Sequence, residues 1–158
     1  MNTKQNTLYL IRHGESTFNL YGTDEIDCKL TDRGKKQSEA LNEELEGIIF
    51  DVVIISPLAR AQQTFEYANL NYKEKITHHL CREHKIDKCD FLEGEEIIFE
   101  TEQEVIFRCK EFREYIATSY SSMTLAVVCH ADFIYYLTKD KDKDGTWLDN
   151  ADYMIIYI

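Results

Sequence analysis

The chain has 158 residues, of which 44% are hydrophobic, 30% charged and 12% aromatic, with six Gly and one Pro; this suffices for the core of one globular domain and leaves no room for a long flexible linker. The net charge of −11 argues against nucleic acid or an anionic membrane as the main partner, since both require a basic face. No stretch approaches the roughly 20 apolar residues of a membrane span.

The start, Met1 to Thr7, is polar, and no secretory leader is expected there. Thr7–Arg12 (TLYLIR) reads as a buried strand that runs into a loop at Gly14. A helix is expected within Leu30–Gly47, capped by Thr31, with Gln37, Ala40, Leu41, Glu44, Leu45 and Ile48 on one side. Asp51–Ser56 (DVVIIS) is a second buried strand. Ser56-Pro57 then opens a helix with serine as its cap and Leu58, Ala61, Phe65 and Ala68 as its apolar face.

Ile76–Cys81 is a weaker strand and Arg82–Glu100 a charged surface loop. Thr101-x-x-Glu104 is a capping box, and Val105, Cys109, Phe112 and Ile116 mark the helix behind it to about Tyr120. Thr124–Cys129 (TLAVVC) is another buried strand, Ala131–Thr138 a short helix and Tyr153–Ile158 a last strand. Strands alternating with helices predict an α/β layered domain around a mainly parallel sheet. The cysteines, Cys28, Cys81, Cys89, Cys109 and Cys129, are odd in number and show no paired spacing. Reduced thiols in a reducing compartment, the cytoplasm, are expected, with Cys109 and Cys129 as packing residues.

Three of the buried runs end in reactive groups: Arg12-His13-Gly14-Glu15 after the first, Ser56-Pro57 and then Arg60 after the second, and His130 after Thr124–Cys129. Ligands of open α/β sheets bind outside the carboxyl ends of the strands. Parallel strands would therefore gather Arg12, His13, Arg60 and His130 at one edge. Two guanidiniums and two imidazoles suit a phosphoryl group. Arginine offers bidentate donors to its oxygens, and a neutral imidazole can attack phosphorus and carry it. Nearby arginines should lower that imidazole's pKa. The whole-protein field repels an anion, so such a site must be a local cluster of cations. Each residue alone has a plainer reading, as a surface arginine or a structural histidine.

Arg12-His13-Gly14-Glu15-Ser16 with Asn19, and Ser56-Pro57-Leu58-Ala59-Arg60-Ala61-Gln62-Gln63-Thr64, resemble the signatures of the histidine phosphatase superfamily, the phosphoglycerate mutase-like family. Leu80-Cys81-Arg82-Glu83, Val127-Val128-Cys129-His130, Leu30-Thr31-x-x-Gly34 and the closing Leu148–Ile158 segment have counterparts there in the same order. The resemblance implies a three-layer α/β/α phosphoglycerate mutase-like fold, as a single catalytic domain over residues 1–158. It implies His13 as nucleophile, and Arg12, Arg60 and His130 as the rest of the phosphate pocket. Glu83 would be proton donor and then base, and Ser16 and Asn19 further phosphate contacts. It implies neither metal nor cofactor.

Two departures bear on the substrate. Ala131-Asp132 follows His130 where the family often has glycine, so Asp132 is either an alternative acid or a solvated residue at a helix start. The segment after Glu83 lacks an expected glycine. Its His84, Lys85 and Lys88 are either a second anion site on the substrate or a solvated loop. Glu83 itself reads, without the resemblance, as a surface partner of Arg82 or Lys85. Asp140-x-Asp142-x-Asp144-Gly145 copies half a calcium loop, but the closing position holds Ala151, which favours a solvated acidic turn.

The expected activity is a metal-independent phosphatase acting on a small phosphorylated metabolite or a phosphoprotein. Mutase members carry extra segments that exclude water, and a phosphohistidine without such a cover should be hydrolysed. A phosphomutase and a non-catalytic phospholigand-binding protein are the alternatives.

Overall fold

Aliphatic runs buried on both faces form the middle of a sheet, and amphipathic helices cover it. The computed structural model describes residues 4–158, so Met1–Thr3 of the polar start lie outside the described residues. In chain order the elements are β1 (Thr7–Arg12), α1 (Thr17–Tyr21), α2 (Asp32–Glu44), β2 (Ile49–Ile55), α3 (Ala59–Ala68), β3 (Asn71–Thr77), α4 (Glu102–Ser119), β4 (Thr124–Cys129), α5 (Ala131–Thr138) and β5 (Tyr153–Tyr157). Single 3-10 turns lie at His79–Cys81 and Lys88–Asp90. The strands are ordered β3-β2-β4-β1-β5. β1 to β4 are parallel, and β5 runs antiparallel along β1.

Successive side chains of a strand point to opposite faces, and each face is covered. Leu8, Leu10, Leu125 and Val127 pack with Val105, Phe112 and Ile116 of α4 and Phe133 and Leu137 of α5. On the other face Ile11, Val53, Ile55, Ala126 and Val128 pack with Leu41 of α2, Leu45 just past its end, and Ala61 and Ala68 of α3. The architecture is the expected three-layer α/β/α sandwich. Its register sets Arg12 opposite Cys129 and Ile55 opposite Val128, which brings the carboxyl ends of β1, β2 and β4 to one edge.

Several local expectations need correction. The buried side of α2 is Gly34, Ser38 and Leu41, continued by Leu45; Ala40 and Glu44 face solvent. The apolar stripe follows from these three- and four-residue steps. Ser56 does not cap α3: the helix begins at Ala59 without a cap from its own N-cap residue, and Asp27 Oδ1 accepts the Ala59 N–H at 2.7 Å instead. The third strand is Asn71–Thr77, earlier than expected; as a sheet edge it tolerates the polar sequence NYKEKIT. The helix α1 was not foreseen. Ser16 and Asn19 close a capping box there, and Gly22 ends it at φ 63°, a left-handed conformation that suits glycine.

All five cysteines are free and buried. At the acidic turn the Asp142 N–H donates to Asp140 Oδ1 at 2.8 Å. Among the described residues no helix is long and apolar enough to cross a membrane.

Candidate active site

His13 sits one residue beyond β1 and is held by backbone on both sides. Its N–H donates to Cys129 O at 3.0 Å, and its carbonyl accepts from Ala151 N at 3.0 Å and Asn150 Nδ2 at 3.2 Å. The loop after it rests on the start of α2. A Cβ on Gly14 would meet the Gly34 carbonyl oxygen, and one on Gly34 would meet the Glu15 carbonyl oxygen. Only glycine permits this backbone-on-backbone approach, so the Leu30-Thr31-x-x-Gly34 segment is the platform of the histidine loop.

The hydrogen bonds of the ring fix its tautomer. Nδ1 faces the Gly14 carbonyl oxygen at 2.6 Å, an acceptor only, so Nδ1 carries the proton. Arg60 Nε then donates to Nε2 at 3.3 Å, so Nε2 presents its lone pair. Burial, then the Arg60 charge, hold the imidazole well below its ordinary pKa; Arg12 adds to this and the Gly14 carbonyl opposes it. His13 is therefore a neutral imidazole with its reactive nitrogen beside a guanidinium.

Arg60 comes from the first turn of α3. Nη1 donates to Cys89 O at 2.7 Å and Nη2 to Asp90 Oδ1 at 2.8 Å. A guanidinium has five N–H groups, so one on each Nη remains for a ligand. Arg12 gives one bond, from Nη1 to Leu148 O at 2.6 Å, and its buried Nε has no partner among the described residues. His130 stands at the N-cap position of α5 without a side-chain cap bond and is fully buried, its ring centroid 5.2 Å from that of His13. Its Nε2 meets Ser56 Oγ at 2.7 Å, and its Nδ1 has no partner among the described residues. Burial and the Arg60 charge also hold His130 well below the usual imidazole range.

Glu83 is buried and pairs with neither Arg82 nor Lys85, contrary to its reading as a surface partner. Arg82 bridges to Glu95 instead, and Arg108 braces the segment by donating to the carbonyls of Leu80, Arg82 and Glu83. The Glu83 carboxylate accepts from the N–H groups of His84, Asp132 and Phe133 at 2.9–3.3 Å. Burial, with the Asp132 charge second, pushes its pKa up to about 7. A carboxyl poised near neutrality is suited to giving and taking one proton.

These groups share a cavity of about 280 Å³ lined by Arg12, His13, Arg60, Glu83, Asp132 and Trp147, among others. Ser16 and Asn19 also line it. The Ser16 hydroxyl donates to Asn19 Oδ1, which accepts from Ser16 N and Asn150 Nδ2 as well. The Asn19 NH₂ is the part left for a ligand. His130, expected in the phosphate pocket, does not line the cavity and instead packs beside His13 with ring centroids 5.2 Å apart.

His84 and Lys85 do not line the cavity. His84 Nε2 donates to Glu100 O at 2.9 Å, and the Lys85 ammonium lies over the Phe91 ring. Lys88 is paired with Asp24 at 2.6 Å. The second-anion reading of this cluster is corrected accordingly, because each has a protein partner, and the other ring nitrogen of His84 lies 3.8 Å from Asp132 Oδ2 in the cavity wall. Asp87, Asp90, Trp147 and Asn150 were missed. Their only sequence signals were a loop of mixed charge and a tryptophan outside any periodic run.

Residues 8–98 match the profile of the histidine phosphatase superfamily (branch 1). The chain is 44% identical over 59 residues to the adenosylcobalamin/alpha-ribazole phosphatase of Escherichia coli, covering 36% of this chain and 29% of that protein. It is 28% identical over 189 aligned positions to phosphoserine phosphatase 1 of Hydrogenobacter thermophilus, covering 96% and 86%. The chain spans 28% to 32% of the length of three of the curated relatives it matches. A solved structure of an Escherichia coli protein provisionally described as an alpha-ribazole-5′-P phosphatase superposes with a TM-score of 0.77 at 21% identity, covering 96% of this chain and 90% of that one. The chain belongs to the histidine phosphatase superfamily.

Proposed function

We propose that this chain is a phosphatase that hydrolyses a phosphate monoester of a small metabolite through a phosphohistidine on His13. The observation that carries the reading is the tautomer of His13, which lines the cavity: Nδ1 is protonated, so Nε2 carries the lone pair, which accepts from Arg60 Nε until a phosphoryl group draws that donor away. Arg12, Arg60 and the Asn19 amide supply donors for the phosphoryl oxygens.

In the first step His13 Nε2 forms a bond to phosphorus and the ester P–O bond breaks. Glu83 gives its proton to the leaving oxygen. The charge that develops on the ring is met at Nδ1–H by the Gly14 carbonyl. In the second step water attacks phosphorus, the P–N bond breaks, and the Glu83 carboxylate takes the water's proton. Phosphate leaves, and both side chains return to their starting forms.

Hydrolysis is favoured over transfer between hydroxyls because the cavity mouth is open: Trp147 in its wall is 60% exposed. Two relatives are named phosphatases and two phosphoglycerate mutases, so the choice rests on the open mouth and not on the names. Free thiols and a charge of −11 fit a reducing compartment, the cytoplasm, and a small-molecule partner rather than nucleic acid.

The test is turnover of a generic aryl phosphate in the presence of EDTA by the wild type and by His13→Ala. The wild type should release phosphate and the variant should not. Full activity in the variant rules the reading out, and interconversion of phosphoglycerates without net phosphate release would favour a mutase.

A further inference from the structure

Apart from Arg12 and Arg60, every charged side chain lining the active cavity is acidic: Glu83, Asp87, Asp90 and Asp132. One guanidinium is already matched, since Arg60 is ion-paired with Asp90. The cations of the neighbouring loop are spent elsewhere, Lys88 on Asp24 and Arg82 on Glu95. A bound phosphomonoester adds one or two further negative charges. Asp87 would then face it with no ion-pair partner among the described residues, and Asp132 with only the His84 ring, whose Nδ1 lies 3.8 Å from its Oδ2.

The repulsion is already felt in the free protein. Asp132 is raised from the ordinary carboxyl range by burial and then, among like charges, by Asp90 and Asp87, although His84 and Arg12 oppose this. Asp87 is raised by burial and then by Asp90. A carboxylate strengthens its hold on a proton when no other cation is near. An ammonium group would meet the same need.

The remaining wall has the chemistry to receive one. Trp147 is 60% exposed, lines the cavity and is stacked on Tyr135 with centroids 4.5 Å apart. A buttressed indole that lines the same cavity as two carboxylates is a favourable seat for an alkylammonium. The phosphoryl end is set independently by His13 Nε2 and by the unpartnered buried Nε of Arg12.

We infer that the substrate is the phosphate monoester of an amino alcohol, its phosphoryl group on His13 and Arg12 and its ammonium between Asp87, Asp132 and Trp147. A second acid group, such as the carboxylate of a phosphoglycerate, is disfavoured by the same wall. The inference rests on the phosphatase reading for its chemistry, but its test does not depend on turnover.

The probes are phosphonates, whose C–P bond the reaction cannot cleave: 2-aminoethylphosphonate, propylphosphonate and 3-phosphonopropionate. Binding to the 158-residue chain is followed by calorimetry. The aminoethyl compound should bind roughly tenfold tighter than its propyl isostere, from one partly screened ion pair and one cation–π contact. That ratio should collapse in Asp87→Asn, and further in Asp87→Asn with Asp132→Asn. The variants' ratio also corrects for the different acidities of the two phosphonates.

Equal or tighter binding of the propyl compound overturns the inference. So does tightest binding of 3-phosphonopropionate, or a ratio that survives both substitutions. The ratio in wild type and in Asp87→Asn stands without the double variant if the latter does not fold. If the preference holds while aryl phosphate turnover does not depend on His13, the phosphatase reading fails and the ligand class stands.

Discussion

Arg60 and Asp90, 30 residues apart in the chain, form an ion pair at 2.8 Å with side chains only 4% and 3% exposed. The other oxygen of Asp90 accepts from the N–H groups of Ile86 and Asp87. One carboxylate thus ties the loop that walls the cavity to the guanidinium that faces the nucleophile.

Asp90→Ala should therefore be costly in two ways. It strands a buried arginine and frees the loop, and removing one partner of a buried pair typically costs about 3–5 kcal/mol. Urea unfolding should show a loss of that order, with a smaller one for Asp90→Asn. KM for any phosphate ester should rise in both, because Arg60 loses its orientation. An Asp90→Ala protein as stable as the wild type would show that the pair is not coupled to the fold.

Glu83→Gln should slow the transfer of phosphate to His13, followed in a single turnover, about 10²–10⁴-fold for alkyl phosphates, the usual worth of a placed acid, and far less for aryl phosphates, since an aryl oxide leaves without a proton. Glu83 is held up at about 7 by burial and by Asp132. The rate on alkyl esters should fall as pH rises through about 7, where the acid form is lost. His13 stays neutral well into the acid range, so its own protonation limits the rate only at lower pH. Equal slowing of alkyl and aryl esters by Glu83→Gln would remove Glu83 from the acid role.

The same shift has a stability consequence. A carboxyl whose folded pKa lies above its unfolded value of 4.5 favours the fold below the unfolded value. That contribution is lost as pH rises through about 7. The wild type should lose this contribution across that window, set against a gain from the buried His13 and His130, whose lowered pKa values add stability as pH rises toward 6.5. Glu83→Gln should flatten the decline, measured as denaturation midpoint against pH.

Gly34→Ala puts a methyl group into the Glu15 carbonyl oxygen. Overpacking of this kind costs about 1–3 kcal/mol, and it pushes the loop that carries His13. Thermal stability and turnover should fall together. Gly47→Ala, where a Cβ meets nothing within 4 Å but φ is 81°, should affect stability alone.

Thiol reagents should leave activity intact at neutral pH. Burial pushes Cys81 and Cys109 up to about 12 and raises Cys89, which lines the cavity, further still. Such thiols are poor nucleophiles. Rapid inactivation by iodoacetamide would show that a thiolate takes part in the chemistry.

Much of the fold was legible because its signals are local. TLYLIR and TLAVVC are uninterrupted apolar runs, and Thr101-x-x-Glu104 closes a capping box within four residues. Ser56 misled for the opposite reason. As a residue before proline at a helix start it reads as a cap, yet its hydroxyl is engaged by His130, 74 residues on. The polar edge strand β3 carried too little apolar pattern to be placed correctly.

What the sequence by itself determined is the set of reactive groups at the strand ends and, through the parallel sheet, their meeting at one edge. Strand formation follows from side-chain pattern along the chain, and parallel pairing then aligns the carboxyl ends. Only the tertiary structure decided which groups hold Arg60 and Asn19 and which cations are already spent. It also decided that the wall facing the substrate is acidic. Asp90, Asn150 and Trp147 act through neighbours remote in sequence, and the choice of partner for a charged or amide side chain depends on distances that no local pattern encodes.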